Sequence, residues 1–295
     1  MSARLAITGA SGQLGRRAAE LVLARHSPRD LILTTRTPNA LAELAARGAV
    51  VRYADFDDPV SLRSAFAGAE RLLLISATDL QRRVAQHRAA IDAAKAAGVS
   101  HVMYTSGSKP APPNPAVVAP SHYATEQALA ASGLAWTVLR NSLYADYQVA
   151  EAKRAVETGS LVHNRGAGRV AYVAREDCAA AAAAVLVQGG HAGAVYDITG
   201  SEQYAAKTLA ALYGELGGRR VEAQAIDDAA FIAGLVGDAA ANEHLRYGAE
   251  LLASFGRAIR EGYLDVCTDA VAKLTGRRAR TLPEVLGPHL HDGIE

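Results

Sequence analysis

The sequence predicts an α/β protein: a doubly wound parallel sheet with a smaller, mostly helical C-terminal lobe. Three observations carry this. Over the first 140 residues, short β-branched or leucine-rich runs that are apolar throughout alternate with stretches of helical apolar spacing. Strands of that kind are buried on both faces, which needs parallel pairing with helices on each side, and right-handed crossovers then wind it doubly. A glycine-rich turn joins the first run to the first helix, and beyond residue 141 the pattern loosens into a largely helical tail.

The runs predict strands at residues 4–8, 31–35, 50–54, 71–76, 102–106 and 136–140, with helices at 14–25, 40–47, 61–66, 81–97 and 123–132. Two of these helices end in a glycine stop, Arg47-Gly48 and Ala97-Gly98. The proline-rich stretch at residues 109–115 suits neither strand nor helix interior and is a loop beside the carboxyl edge of the sheet. Residues 170–173, the alanine-rich helix around 179–184 and residues 194–198 read as further sheet and cover, and residues 221–226 as one strand of the tail. Residues 1–141 with 166–200 then form the large lobe, and 142–165 with 201–295 a small lobe over the sheet's carboxyl edge.

At 295 residues, with 31 Lys and Arg against 30 Asp and Glu, the chain is an ordinary globular protein with no charge excess to attract nucleic acid. No apolar run approaches the ~20 residues that cross a bilayer. The N-terminal residues lead straight into the first strand without a small-residue cleavage site, so a cytoplasmic protein is expected. Cys178 and Cys267 support neither a disulfide framework nor a metal site, and both read as small buried hydrophobes.

The segment Thr8-Gly9-Ala10-Ser11-Gly12-Gln13-Leu14-Gly15 lies directly after a strand and before a helix. Its three glycines suit a tight turn, a backbone open to a pyrophosphate and a close helix–strand contact, while the free amides of the helix start hold phosphate. This is the turn of a dinucleotide-binding Rossmann fold. An NAD-selective site places an acid ~20 residues on, at the end of the second strand. Here that strand ends in Thr35-Arg36-Thr37, and the nearby Asp30 stands at its beginning, on the wrong edge. Arg36 suits a 2′-phosphate, so NADP(H) is expected. Asp55, ending the third strand, suits the adenine amino group, with helix capping as its competing use; Ser76 and Ala77 end the fourth strand beside the nicotinamide ribose.

A short-chain dehydrogenase that handles alcohols uses a Tyr with Lys four residues later, and none of the eleven tyrosines has that lysine. Tyr123 is followed by Gln127, and His122 by Glu126; Ser106 stands where such enzymes keep a helper serine. The histidines show no spacing for zinc, and neither a serine-hydrolase elbow nor a lysine-bearing phosphate loop is present. His122 is the one histidine retained as an acid candidate, while His87 reads as a surface or packing residue.

The motifs Thr8–Gly15, Leu72-Leu73-Leu74-Ile75-Ser76, Gln86-His87-Arg88, Tyr104-Thr105-Ser106, Thr137-Val138-Leu139-Arg140-Asn141 and Leu274-Thr275-Gly276 occur together and in order. The chain resembles, nearly end to end, the NmrA-like branch of atypical short-chain dehydrogenases/reductases, and most of all its bacterial NADPH:quinone oxidoreductase type 2 and triphenylmethane reductase group. The resemblance implies an NADPH-binding lobe and a substrate cleft between two lobes. It carries cofactor contacts onto Gly9, Ala10, Ser11, Gly12, Gln13 and Leu14, onto Arg36 and the Ser76–Ala77 loop, and onto Asn141, Ser142, Leu143 and Tyr144. The family's His-x-x-x-Glu falls on His122 and Glu126. Ser142 and Leu143, where relatives often carry Gly and Trp, and the prolines of residues 110–120 depart from the pattern close to the expected cleft.

A quinone suits a site without a proton donor, because the hydroquinone anion left by hydride transfer is resonance-stabilised and takes its proton from water. Such catalysis is orientation: two flat rings held face to face. Asn141 is a candidate to position a carboxamide or a quinone oxygen, and Tyr144 with Tyr147 to wall a flat acceptor. The competing expectations are an NADP(H)-binding redox sensor without turnover and a reductase of triphenylmethane-type dyes. A homodimer is expected only as the commonest assembly.

Overall fold

The computed structural model describes residues 4–239 and 242–290. Seven parallel strands, β1 (Leu5–Ile7), β2 (Leu31–Thr35), β3 (Val50–Tyr53), β4 (Arg71–Leu74), β5 (His101–Gly107), β6 (Ala135–Asn141) and, later in the chain, β9 (Ala194–Ile198), form one sheet in the order β3-β2-β1-β4-β5-β6-β9. The helices α1 (Gln13–Leu23), α2 (Ala42–Ala46), α3 (Pro59–Phe66), α4 (Arg83–Ala96) and α5 (Ala119–Ala131) alternate with the first six strands. Each expected strand and helix of this half is present, with ends displaced by a few residues. The largest displacement is at α5, which starts at Ala119 because Pro120 is tolerated in a first turn.

Neighbouring strand residues face opposite sides of the sheet and so build two cores. Leu5, Ile7, Leu31, Leu33, Leu73 and Met103 pack with α1 and with α7 (Arg175–Val187), the alanine-rich helix. Ala6, Ile32, Leu72, Leu74, Val102 and Tyr104 pack under α3, α4 and α5. Local signals place the ends: Asp58 caps α3 through the amides of Val60 (3.1 Å) and Ser61 (3.3 Å), with Pro59 opening the helix, a cap that contributes about 1 kcal/mol. Gly48 and Gly98 adopt φ of 98° and 82° as the helix stops expected of them.

The segment pair expected as a small lobe holds α6 (Gln148–Thr158), β7 (Ser160–His163), β10 (Tyr204–Ala205), α8 (Ala206–Leu216), β11 (Glu222–Ala225), α9 (Asp228–Val236), α10 (Glu243–Arg260) and α12 (Leu282–Leu290), and β8 (Arg169–Val170), expected with the large lobe, pairs with its β10. Its core joins Tyr172 and Tyr213 with Leu161, Leu209, Ile259 and Leu286. The expected strand near 221–226 is β11, which pairs parallel with β7.

Two expectations are corrected. Residues 170–173 do not join the main sheet: Val170 pairs antiparallel with Tyr204, and Val173 makes an isolated bridge to Tyr144. A short β-branched run specifies extended backbone but not its partner. Residues 270–279 do not belong with the small-lobe core. There α11 (Ala270–Thr275) packs on α7, and Ala270, Val271, Leu274 and Ala279 share the core of Leu5 and Leu31. Asp177 of α7, fully buried, anchors that return by accepting from Arg277 Nη1 (2.5 Å) and the Arg280 amide (2.7 Å).

Candidate active site

Strand order reverses between β1 and β4, and the loops leaving these two strands face each other there. After β1 the chain turns at Gly9 (φ 58°), whose carbonyl accepts from the Gly12 amide at 2.9 Å. A Cβ on Gly15 would lie 2.4 Å from the Gly9 oxygen, so only glycine lets α1 start this close to the turn. That helix has no side-chain cap and no acid in its first turn. Its free amides and positive dipole end therefore open on a cavity lined by Gly9, Gly12, Gln13, Leu14 and Gly15.

The facing loop, after β4, is held by three side chains in succession. The amides of Ile75, Ser76 and Ala77 donate to Thr8 Oγ1 (2.9 Å), Thr105 Oγ1 (3.0 Å) and His87 Nε2 (2.9 Å). Because Nε2 accepts, the His87 proton sits on Nδ1 and goes to Thr125 Oγ1 at 2.9 Å. Burial, with Arg83 adding to it, pushes His87 down to about 3, so it is a neutral buried clamp, the packing rather than the surface alternative of its sequence reading.

His122 and Ser106 line the same cavity, but neither is poised as an acid. Arg83 Nη1 points at His122 Nε2 (3.4 Å), which leaves Nδ1–H to donate to the Tyr104 hydroxyl at 2.8 Å. Burial and then Arg83 push His122 down to about 3, so it carries no imidazolium proton to give at neutral pH. Nor does it pair with Glu126, which accepts from Ser106 Oγ (2.7 Å) and from Arg140 Nε (3.0 Å) and Nη2 (2.7 Å).

At the end of β6, Asn141, Ser142, Leu143 and Tyr144 all reach the cavity. Asn141 Nδ2 donates to the Tyr144 hydroxyl (3.3 Å), leaving Asn141 Oδ1 and Ser142 Oγ buried without partners. Buried polar atoms are nearly always satisfied, and such orphans at a cavity wall fit a ligand that brings its own polar groups. Burial raises the Tyr144 hydroxyl well above the usual tyrosine range. The Tyr144 and Tyr147 rings lie 6.0 Å apart at 31°, with the Arg175 guanidinium 5.2 and 5.3 Å from their centroids. Asp146 fixes that arginine, accepting from its backbone amide (2.8 Å) and Nη1 (3.2 Å).

The cavity measures about 1480 Å³, and its far wall comes from residues the sequence did not single out: Phe231 and Leu235 of α9, and Tyr247, Leu251 and Phe255 of α10. The amphipathic spacing of α10 was the available signal, but it did not say that a cleft lay beneath it. Asp228 fastens the two helices to the lobe through Arg257 (2.9 Å), Arg260 (3.1 Å) and Asn164 (2.8 Å). The proline-rich loop and the segment after it are tied across by Lys109 Nζ, which donates to the Gly262 carbonyl (3.2 Å), and by the Val117 amide, which donates to Ser254 Oγ (3.1 Å), and Val118 lines the cavity.

Four expected cofactor residues lie outside the cavity wall: Ala10, Ser11, Arg36 and Asp55. Ala10 is fully buried and its side chain belongs to the core. Ser11 Oγ meets Thr35 Oγ1 at 2.8 Å, and the Thr37 amide donates to the same oxygen at 3.1 Å. Arg36 stands exposed beside this hydroxyl cluster, unpaired with any carboxylate among the described residues. A free guanidinium with hydroxyls, and no acid ending β2, fits a 2′-phosphate. Asp55 Oδ1 accepts from the Asp57 amide (3.0 Å), while capping falls to Asp58. The described residues contain no cluster of three or more His, Cys, Asp or Glu that would hold a metal, and no helix long and apolar enough to cross a membrane. Cys178 is buried as expected; Cys267 is exposed.

A reversal point flanked by a glycine turn and an uncapped helix, opening on one large cleft, defines a dinucleotide-binding protein. The comparisons make it particular: residues 9–188 match the NAD(P)H-binding family, and the chain belongs to it. Quinone oxidoreductase 2 of Escherichia coli is 38% identical over 95% of this chain and 96% of its own length. The crystal structure of the E. coli NADPH-dependent enzyme with NADPH superposes with a TM-score of 0.91 at 36% identity, covering 97% of this chain and 99% of the other. Triphenylmethane reductase of Citrobacter sp., complexed with NADP(H), superposes with a TM-score of 0.88 at 33% identity over 98% and 100% of the two chains. An NmrA-like family domain-containing oxidoreductase of Aspergillus flavus is 30% identical over 93% of this chain and 91% of its own.

Proposed function

We propose that this protein is an NADPH-dependent reductase that delivers a hydride to a quinone or similar flat conjugated acceptor, without a Tyr–Lys pair. One observation carries the reading: a phosphate-binding helix start and an aromatic and aliphatic wall open on the same cleft, so a dinucleotide and a flat ring can share it. The two similar enzymes of E. coli and Citrobacter, a quinone oxidoreductase and a triphenylmethane reductase, support it.

In this reading the large lobe holds NADP(H) and the small lobe shapes the acceptor site. The Gly9–Gly15 turn takes the pyrophosphate, Arg36 with Ser11 the 2′-phosphate, and Asp55 the adenine edge. The clamped Ser76–Ala77 loop and Asn141–Tyr144 take the nicotinamide end, with Asn141 Oδ1 accepting from the carboxamide. When bound, the reduced dinucleotide supplies the hydride. The protein's part is to stack the acceptor against it between Tyr144 and α10 and to keep water out, which is positioning catalysis. His122 is not asked for a proton, and the reduced acceptor takes it from solvent.

The test follows the absorbance of the reduced nicotinamide with and without a small quinone, with a triphenylmethane dye and NADH in parallel. Quinone-dependent oxidation preferring NADPH is the expected result. Dye reduction without quinone reduction would change the acceptor, and NADPH binding without any oxidation would identify a redox sensor.

A further inference from the structure

Arg83, at the first position of α4, is only 7% exposed and lines the cleft, yet no carboxylate among the described residues pairs with it. The other arginines there are accounted for: Arg165 pairs with Glu151, Arg175 with Asp146, and Arg154 is exposed to solvent. Arg83 spends Nε on the Ala77 carbonyl (2.7 Å) and Nη1 on Ser121 Oγ (3.3 Å) and His122 Nε2 (3.4 Å). Its remaining nitrogen, Nη2, has no protein partner and is not sealed off from the cleft. Burying a guanidinium with no carboxylate in contact is costly, and burial lowers its pKa, opposed among carboxylates only from a distance by Asp79, which pairs with Arg82.

The sheet order says which anion it faces. Arg36 follows β2, the phosphate turn follows β1, and Arg83 is reached through the loop after β4 and touches α5, which follows β5. It therefore stands on the opposite side of the phosphate turn from Arg36, and Tyr247 of α10 lines the same cleft. That is the acceptor end of the cleft.

We propose that Arg83 is the specificity residue of the acceptor site: its Nη2 receives an anionic oxygen carried by a flat conjugated acceptor, such as an ionised ring hydroxyl, a carboxylate or a sulfonate. The assignment rests on the reading of the cleft as an acceptor site, and its test is kept apart from turnover.

Protein saturated with NADP⁺, which cannot donate a hydride, is titrated calorimetrically with 2-hydroxy-1,4-naphthoquinone, an anion at neutral pH, and with neutral 2-methyl-1,4-naphthoquinone. The wild type is expected to prefer the anion by about ten-fold, the value of one charge-assisted hydrogen bond. In Arg83→Met the ratio falls to about one, and Arg83→Lys retains part of it. Should either variant fail to fold, the wild type alone decides: benzoate must displace the anionic quinone without displacing NADP⁺. Equal wild-type affinity for the two quinones, a preference that survives in Arg83→Met, or loss of NADP⁺ affinity alone in that variant overturns the proposal. Anion preference in a protein that oxidises NADPH with neither quinone would keep Arg83 as an anion site and remove the reductase reading.

Discussion

The His87 imidazole accepts the Ala77 amide at 2.9 Å, and through this bond a fully buried helix residue fixes the loop that borders the expected nicotinamide site. His87→Ala is expected to weaken NADPH binding by about five-fold and to destabilise the fold by about 2–4 kcal/mol, through the lost bond and the cavity left behind. Calorimetric titration and thermal melts check the two effects. Unchanged NADPH affinity would show that the clamp does not position the loop.

Acid sensitivity follows from the same histidine and its neighbour. His87 and His122 stay neutral in the fold down to about 3, while in the unfolded chain both protonate near the ordinary 6.5. Between those values the unfolded state binds more protons, so stability is full above about pH 6.5 and declines as the pH falls toward 3. The slope is up to about 1.4 kcal/mol per pH unit for each histidine. Denaturant midpoints measured from pH 7.5 to 4.5 should fall, and fall less steeply in His87→Gln. A flat profile would contradict the neutral burial of both rings.

Arg36→Ala should weaken NADPH binding by about ten-fold or more while leaving NADH within about two-fold, since only the 2′-phosphate distinguishes the two ligands. Equal losses would place the 2′-phosphate elsewhere.

The glycine turn separates fold from ligand. A Cβ at Gly15 collides with backbone, 2.4 Å from the Gly9 oxygen and 2.9 Å from the Ala10 Cα, so Gly15→Ala should cost about 2–4 kcal/mol in stability. At Gly12 the nearest atom, the Gly9 oxygen, is 3.3 Å away and has to give by only a few tenths of an ångström, so Gly12→Ala should cost less stability than Gly15→Ala yet lose about ten-fold in NADPH affinity by crowding the pyrophosphate.

Gly256 has the corresponding place in the small lobe, where an added Cβ would lie 1.7 Å from Asn164 Oδ1. Gly256→Ala must either turn the Asn164 amide away from Asp228 and the Ala253 carbonyl or shift α10. The expected signature in steady-state kinetics is a raised KM for the acceptor with an unchanged Kd for NADPH. A loss of NADPH affinity instead would mean that α10 also serves the cofactor.

Much of the large lobe was legible because its determinants are local. β2 occupies the residues expected of it, Gly48 and Gly98 stop the helices they were expected to stop, and Gly9 and Gly15 meet the turn geometry they imply. The harder features depend on what lies opposite. Nothing near Arg83 or His87 along the chain says that they are buried, because that is decided by Ser121, His122 and Thr125 on α5. The strand-like run at 170–173 had no way to declare Tyr204 as its partner. Arg36 is exposed at the end of β2 and lies outside the cavity wall, so its part in binding rests on the substitution described above.

The return of residues 270–279 to the core of Leu5 and Leu31 bears on how the protein is made. On the ribosome the first strand emerges long before Val271 and Leu274 exist, so the nascent nucleotide-binding half must wait with one flank of α7 bare. The half encoded first is the last to be finished, and a chain stalled before α11 would present that flank to chaperones.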